Sequence, residues 1–117
     1  MELFTKKMIT LGMPAEEEGA VLDFMKVFLI ATKEQRLAIL RNITKKQCGQ
    51  IRQVAYNILF NDSLDISADE REYLKRHHTA IKKLASGRVS LDTKKRILVR
   101  KQLLVKRLAE IAVNYLL

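Results

Sequence analysis

Apolar residues recur at helical spacing through most of the chain, and every element that they predict is a helix. After Pro14, the apolar residues from Val21 to Leu29 cover nearly all sides of a helical wheel, which predicts a central helix. The run from Gly87 to Leu117 predicts one long C-terminal helix that begins near Ser90. One broad face of this helix is apolar, and most of its cations lie on the opposite side. The first dozen residues predict a further short helix.

Three short motifs divide the middle of the chain into helices. In each, a Ser or Thr is followed three residues later by Glu or Gln, so that each side chain can bond the other residue's backbone N–H. The pairs are Thr32 with Gln35, Thr44 with Gln47, and Ser67 with Glu70. They predict helices from Lys33 to Asn42, from Lys45 to Phe60 and from Ala68 to Ser86. Gly87 is expected to end the last of these in a left-handed conformation.

The composition points to the same fold class. A chain of 117 residues can bury one core but not two independent ones. With four Gly and one Pro, it has little of the turn chemistry that a multi-stranded protein needs. We therefore predict an all-α fold: residues 1–117 form a single helical domain, a compact bundle of five or six helices with a long basic C-terminal helix.

The net charge of +9 favours a polyanionic partner, either nucleic acid or an anionic membrane surface. The charge is unevenly distributed, because residues 1–31 hold five acids against three bases and residues 91–117 hold seven bases against two acids. This asymmetry predicts one cationic surface at the rear of the chain. The alternative is that the charged face is simply solvated and keeps a small protein in solution.

The sequence offers no candidate catalytic residue, metal ligand set or cofactor motif, so we predict a protein that is not an enzyme. His77 and His78 are adjacent and point about 100° apart on a helix, which prevents them from chelating one ion. Cys48 lies on an apolar stripe and is expected to be a buried structural thiol. The N-terminus does not resemble a signal peptide, and the run Val27–Ala31 is too short to cross a bilayer. We expect an intracellular protein, in the nucleus or cytoplasm.

The strongest candidate for function is a basic cluster in the C-terminal helix. The eight residues from Lys94 to Lys101 contain five cations and keep Ile97 and Leu98 for the core. Cations so placed would bind phosphate backbones without sequence preference and in a salt-sensitive way. The predicted nucleic-acid-binding residues are Lys94, Lys95, Arg96, Arg100 and Lys101, supported by Lys82, Lys83 and Arg88. Other bases, among them Arg76, could extend the patch.

A second apolar strip on the same helix supports a different hypothesis. Val99, Leu103, Val113 and Leu117 lie on its cationic side, and a helix that is apolar on two sides is either enclosed or part of an interface. The alternative function is therefore a protein–protein interaction module, as a homo-oligomer, adaptor or inhibitor. Association of the apolar C-terminal tip with an anionic membrane surface is a third and less favoured alternative.

Residues 36–101 share a pattern of spacing and residue class that runs from RLAILRNITKKQCGQIRQVAYNIL through SADEREYLKRHHTAIKKLAS to VSLDTKKRILVRK. This pattern resembles the small basic proteins of Polinton- or Maverick-type elements and the related adintoviruses. The resemblance implies a virus-like core or minor virion protein that binds packaged DNA or the interior of a capsid protein shell, and it implies no catalytic residues. In those relatives a Gly-Gly turn follows the basic stretch, whereas here Gln102-Leu103-Leu104 follows it.

Overall fold

The computed structural model describes residues 17–60 and 66–116, and within these ranges it holds seven α-helices and no strand. The helices are α1 (Glu17–Ile30), α2 (Lys33–Arg41), α3 (Lys45–Phe60), α4 (Ala68–Arg76), α5 (His78–Ala85), α6 (Leu91–Arg100) and α7 (Gln102–Leu116). The Cα radius of gyration is 13.1 Å, close to the ~13 Å of a compact chain of this size. The all-α prediction is confirmed, but five or six helices is too few. The helix predicted in the first dozen residues lies outside the described residues.

The helix count rises because two predicted helices are each split by one residue. His77, at φ −109° and ψ 17°, separates α4 from α5. Lys101, at φ −115° and ψ 49°, separates α6 from α7. Both conformations depart from the φ −63°, ψ −42° of an α-helix. The predictions of one helix from Ala68 to Ser86 and of one long C-terminal helix are therefore wrong at these two positions.

The break at Lys101 keeps the C-terminal segment within the dimensions of the domain. A straight helix from Leu91 to Leu116 would measure roughly 39 Å at 1.5 Å per residue, whereas the longest extent of the Cα trace is 33 Å. Bending the chain lets α7 enter the core while α6 keeps one side exposed. The side chains of the two break residues also bond each other, with Lys101 Nζ lying 3.1 Å from His77 Nδ1. One hydrogen bond thus joins the two positions at which the predicted helices divide.

The helix starts predicted at Lys33, Lys45 and Ala68 and near Ser90 are confirmed, although at Ser67 only one half of the capping box forms. Both halves of the capping box form at Thr32 with Gln35, at 3.1 and 2.8 Å, and at Thr44 with Gln47, at 3.0 and 3.1 Å. The Ser67 hydroxyl accepts from the backbone N–H of Glu70 at 3.2 Å, and the Ser90 hydroxyl does the same for Thr93. These caps fix where α2, α3, α4 and α6 begin.

The predicted end of α5 is wrong in one detail. Ser86 is the C-terminal cap of α5, with an extended backbone at φ −79° and ψ 132°. Gly87 is not in the left-handed region. Because the chain leaves the helix before it reaches Gly87, no left-handed residue is needed there.

The centre of the bundle is α3, which packs against α1, α5, α6 and α7. We predicted α1 as the central helix. Instead α1 packs chiefly on α7, and it leaves Ile30 85% and Val27 54% exposed. The core is made of fully buried apolar side chains from six helices, including Val21, Phe28, Leu40, Ile51, Val54, Ile81, Leu84, Leu98, Leu104 and Leu108.

One side of α3 is a buried polar stripe. Gln50, Gln53 and Asn57 recur at spacings of three and four residues, so they share one face, and all three are buried. The Asn57 side-chain amide donates to the Gln53 carbonyl at 2.9 Å, while the three side-chain oxygens are buried and unpaired. An unpaired buried oxygen costs about 1–3 kcal/mol. This face of α3 therefore stabilises the fold less than its apolar face does.

Candidate nucleic-acid interface

The sides of α6 differ sharply in burial. Leu98 is fully buried and Lys94 is only 6% exposed, because both point to the core. Arg96 and Arg100 are exposed on the opposite side. Residues four apart are neighbours on a helix surface, so the two guanidinium groups lie next to each other on the exposed side of α6. We call Arg96 and Arg100 the basic ridge.

A groove with a volume of about 390 Å³ lies between α5 and α6, and we call it the α5 groove. Six of the residues that line it carry basic side chains: Arg76, His77, Lys83, Arg96, Arg100 and Lys101. The hydroxyl residues Thr79 and Thr93 also line it, and no described lining residue is acidic. At about 30 Å³ per water molecule, the groove has room for a phosphate group.

A second depression, shallower and more open to solvent than the α5 groove, lies on the other side of α6, and we call it the α2 groove. It is lined by Arg41, Lys95, Arg96, Val99 and Arg100. Arg41 is the last residue of α2, which packs against α6. The lining residues are again free of acids among those described. The basic ridge therefore separates two cationic grooves and belongs to both.

Two arginines outside the basic ridge have internal partners. Arg107 on α7 lies 3.9 Å from the Glu70 carboxylate, and its guanidinium lies 5.5 Å from the centroid of the Tyr73 ring. Arg76 lies 5.8 Å from the same centroid. No ion pair within 4 Å involves the basic ridge in the described part of the chain, although Asp92 is exposed one turn before Arg96. The basic ridge is thus available to an external anion.

His77 lies where the α5 groove meets the breaks between helices. Burial lowers the pKa of His77, and the nearby charges of Lys101 and Arg76 lower it further. A neutral imidazole can accept the hydrogen bond from the Lys101 ammonium group through Nδ1. The Tyr73 ring lies against the imidazole, with 4.6 Å between the ring centroids. These contacts fix the position of Lys101 in the groove wall.

The structure brings five of the eight predicted binding residues into the two grooves: Lys83, Lys95, Arg96, Arg100 and Lys101. Lys82 and Arg88 are exposed but line neither groove. The prediction is wrong for Lys94 as a surface cation, because it shares the core-facing side of α6 with Leu98. Burial lowers the pKa of Lys94, and the neighbouring Cys48 opposes that shift.

Arg41 was not among the predicted binding residues, because a cation at the end of α2 is already explained by that helix alone. A cation in the last turn of a helix is stabilised by the helix dipole, and nothing in the sequence shows that α2 packs beside α6. Arg76 was considered only as one of many bases that could extend the patch. It joins the α5 groove because α4 ends at this residue, just before the break at His77.

The predicted protein interface is not one surface. Leu103 is 59% exposed, whereas Val99 is partly buried in the α2 groove. The prediction is wrong for Val113, which is 9% exposed and belongs to the core, because α1 and α3 both pack against α7. Leu117 lies outside the described residues.

Other candidate sites give no alternative chemistry. Cys48 is buried as predicted, and burial raises the pKa of its thiol, although Lys94 and Lys95 act in the opposite direction. Among residues 17–60 and 66–116, no three His, Cys, Asp or Glu side chains are grouped so as to hold a metal ion. None of the described helices has the length and apolar character needed to span a bilayer.

No model of a known protein family, no curated protein and no solved structure matches the chain.

Proposed function

We propose that this protein binds nucleic acid through the phosphate backbone, without sequence preference and without enzymatic activity. The observation that carries the proposal is the basic ridge, which stands between two cationic grooves whose described lining residues include no acid. Seven lysine and arginine side chains line these grooves: Arg41, Arg76, Lys83, Lys95, Arg96, Arg100 and Lys101. A surface of this kind attracts a polyanion more strongly than it attracts a single small anion.

The physical basis of the binding is the release of condensed counterions. Each phosphate that a lysine or arginine neutralises frees counterions from the nucleic acid, which is an entropic gain that falls as salt rises. Contacts to six or more phosphates would reduce affinity at least about 10³-fold between 50 and 200 mM salt. The exposed side of α6 presents two arginines, Thr93 and Asp92 rather than a series of Asn and Gln side chains. Phosphate contacts therefore outweigh base recognition in this proposal.

The resemblance of residues 36–101 to core proteins of Polinton and adintovirus-like elements suggests a biological setting for such binding. In that setting the polyanion would be packaged DNA, and a capsid protein would be a second partner. Packaging requires that every part of a genome is bound equally. A contact that does not depend on base sequence meets this requirement.

A binding titration tests the proposal. Fluorescence anisotropy of a labelled 20-base-pair DNA, repeated at several salt concentrations, should give an affinity whose logarithm falls linearly with the logarithm of salt. The variant Arg96→Glu/Arg100→Glu should weaken binding about 100-fold, because two charge-assisted contacts of roughly 1.5 kcal/mol each are lost.

The matched control is Lys26→Glu/Lys75→Glu, which makes the same charge change on α1 and α4 at exposed lysines that line neither groove. We expect a much smaller loss of affinity for this control. Equal losses in the two variants would show that net charge, not the basic ridge, governs binding. Undetectable binding of the unaltered protein at 50 mM salt would refute the proposal.

A protein–protein interaction module is the second candidate, and exposed leucine and isoleucine side chains favour it. Arg36 donates to the Ala31 carbonyl at 2.7 Å and to Gln102 Oε1 at 3.1 Å, which brings the end of α1 to the start of α7. The sequence neighbours of these two acceptors, Ile30 and Leu103, are 85% and 59% exposed. An apolar surface of this kind suits a homo-oligomer.

Sedimentation velocity tests this second candidate. The unaltered protein should sediment as a dimer or larger species, and Leu103→Glu should convert it to a monomer. A strict monomer at 100 μM, a concentration of the order at which weak dimers form, would exclude a homo-oligomer. Vesicles with and without anionic lipid provide a parallel test of the membrane-surface alternative, which requires binding that depends on the anionic lipid.

A further inference from the structure

We infer that α6 enters the major groove of B-form duplex DNA, so that the α5 groove receives the backbone of one strand and the α2 groove receives the other. This inference rests on the proposed function and names its substrate class. It concerns the shape of the surface around α6 and not its charge alone.

The first support is the position of α6 relative to the two grooves. Thr93 and Ile97 on one flank of the helix line the α5 groove, while Lys95 and Val99 on the other flank line the α2 groove. The basic ridge lies between the flanks and borders both grooves. An α-helix with its side chains is roughly 10–12 Å wide, and the major groove of B-form DNA is about 12 Å wide. A helix with a depression on each side is the shape that this groove admits.

The second support is the position of the cations beyond each groove. Arg76 and Lys83 stand on the far side of the α5 groove, and Arg41 stands on the far side of the α2 groove. A helix in a major groove has a phosphate backbone on both sides, and each backbone would here lie between α6 and an outer cation. A single strand would occupy one groove and leave the cations of the other without phosphates.

The third support separates duplex DNA from the other nucleic acids. A-form RNA has a deep and narrow major groove that side chains cannot read, so α6 could not enter it. Sequence-tolerant binding of single strands relies on stacking of bases on aromatic side chains. No described residue that lines either groove is aromatic, apart from the imidazole of His77.

Asp92 gives the inference a specific consequence. It is exposed in the first turn of α6, one turn before Arg96, and its carboxylate would approach the DNA together with the basic ridge. A carboxylate at that position is repelled by the phosphates on both sides of the helix. Asp92→Asn should therefore bind duplex DNA several-fold more tightly.

A competition assay tests the substrate class. A fluorescein-labelled 20-base-pair DNA bound to the full-length protein is displaced by the same unlabelled duplex, by either of its single strands, or by an RNA duplex of the same sequence. All competitors are compared at equal phosphate and salt concentrations. We expect the DNA duplex to compete at least about tenfold better than the others, because one phosphate contact is worth roughly tenfold.

A groove-specific assay tests the mode of binding with the same DNA. Bound protein should protect guanine N7, a major-groove atom, from methylation by dimethyl sulfate. Methyl green, which binds in the major groove, should displace the protein, whereas the minor-groove ligand netropsin should not. Protection should be lost in Arg96→Glu/Arg100→Glu and kept in Lys26→Glu/Lys75→Glu. Circular dichroism melts of both variants show whether each is folded.

The outcomes separate this inference from the proposed function. Equal competition by DNA duplex, RNA duplex and single strand would overturn the inference and leave backbone binding standing. Preference for the RNA duplex, or displacement by netropsin with no protection of guanine N7, would also overturn it. The absence of binding to any of the three nucleic acids would overturn both the inference and the proposed function.

Discussion

α6 and α7 are consecutive and both carry cations, yet the fold uses them differently. α6 buries Leu98 on one side and holds Arg96 and Arg100 exposed on the other. α7 is largely a core helix. Seven of its residues whose burial is described are buried: Leu104, Val105, Leu108, Ala109, Ile111, Ala112 and Val113. Its cation Arg107 faces Glu70 and Tyr73, whereas the basic ridge of α6 faces two grooves without described acids. We propose that the basic ridge binds the partner, because no ion pair among the described residues involves it.

The largest expected effect concerns how each helix is held to the core. Leu98→Ala should destabilise the fold by about 3 kcal/mol, because it leaves a cavity beneath α6. Leu103→Ala at the start of α7 should cost less than about 0.5 kcal/mol, because that side chain is mostly exposed. Urea unfolding of the two variants measures both values. Similar losses of stability in Leu98→Ala and Leu103→Ala would show that Leu98 does not anchor α6 to the core.

The next effect concerns the cation that α6 buries. Lys94→Met should stabilise the protein by about 1 kcal/mol, because an apolar side chain of similar length replaces a charged group in a desolvated position. The same substitution at the exposed Lys82 should change stability by no more than about 0.5 kcal/mol. Thermal unfolding of both variants provides the measurement. A destabilised Lys94→Met protein would mean that the ammonium group has a favourable partner.

A smaller effect is expected from the ion pair of α7. Glu70 and Arg107 are 3.9 Å apart, with side chains 24% and 45% exposed, so solvent screens their attraction. A double-mutant cycle of Glu70→Ala and Arg107→Ala should give a coupling energy below about 1 kcal/mol. A cycle of Asp92→Ala with Arg96→Ala on α6 should give no more than the ~0.3 kcal/mol of an exposed pair four residues apart on a helix. A clear coupling in the second cycle would show that the basic ridge has an internal partner after all.

The smallest effect concerns pH. The pKa of folded His77 lies below its usual value of 6.5, so the folded protein binds its proton less readily than the unfolded chain does. Stability linked to His77 is therefore present above pH 6.5 and is lost as pH falls through 6.5 and the lower folded pKa. His77→Gln should remove this part of the pH dependence, while His78→Gln, at an exposed position, should retain it. Urea midpoints from pH 5 to 8 measure the difference.

Local patterns account for the helix starts and the fold class. The capping hydroxyls of Thr32, Thr44, Ser67 and Ser90 act within four residues, so the sequence contains the whole interaction. The breaks at His77 and Lys101 could not be predicted in this way. Each is stabilised by a contact to the other, 24 residues away in the chain.

The candidate interface was also only partly predictable from local sequence patterns. The density of cations from Lys94 to Lys101 identified α6. Helical periodicity places Lys94 on the same side as Leu98, which the sequence assigned to the core, but the prediction followed the cation density and not this signal. The packing of α6 on α2, α3, α5 and α7 turns that side inward. Arg41 belongs to the interface because α2 packs beside α6, a tertiary contact that no local pattern encodes.

The decisive measurement compares the basic ridge with two cations of α7 that line neither groove, at equal charge. Arg96→Gln/Arg100→Gln on α6 and Lys106→Gln/Arg107→Gln on α7 each remove two positive charges. For each pair, the slope of log affinity for duplex DNA against log salt is measured by anisotropy. The α6 pair should reduce the magnitude of the slope by about two, and the α7 pair should leave it nearly unchanged. Equal reductions in the two pairs would contradict the claim that the basic ridge carries the binding.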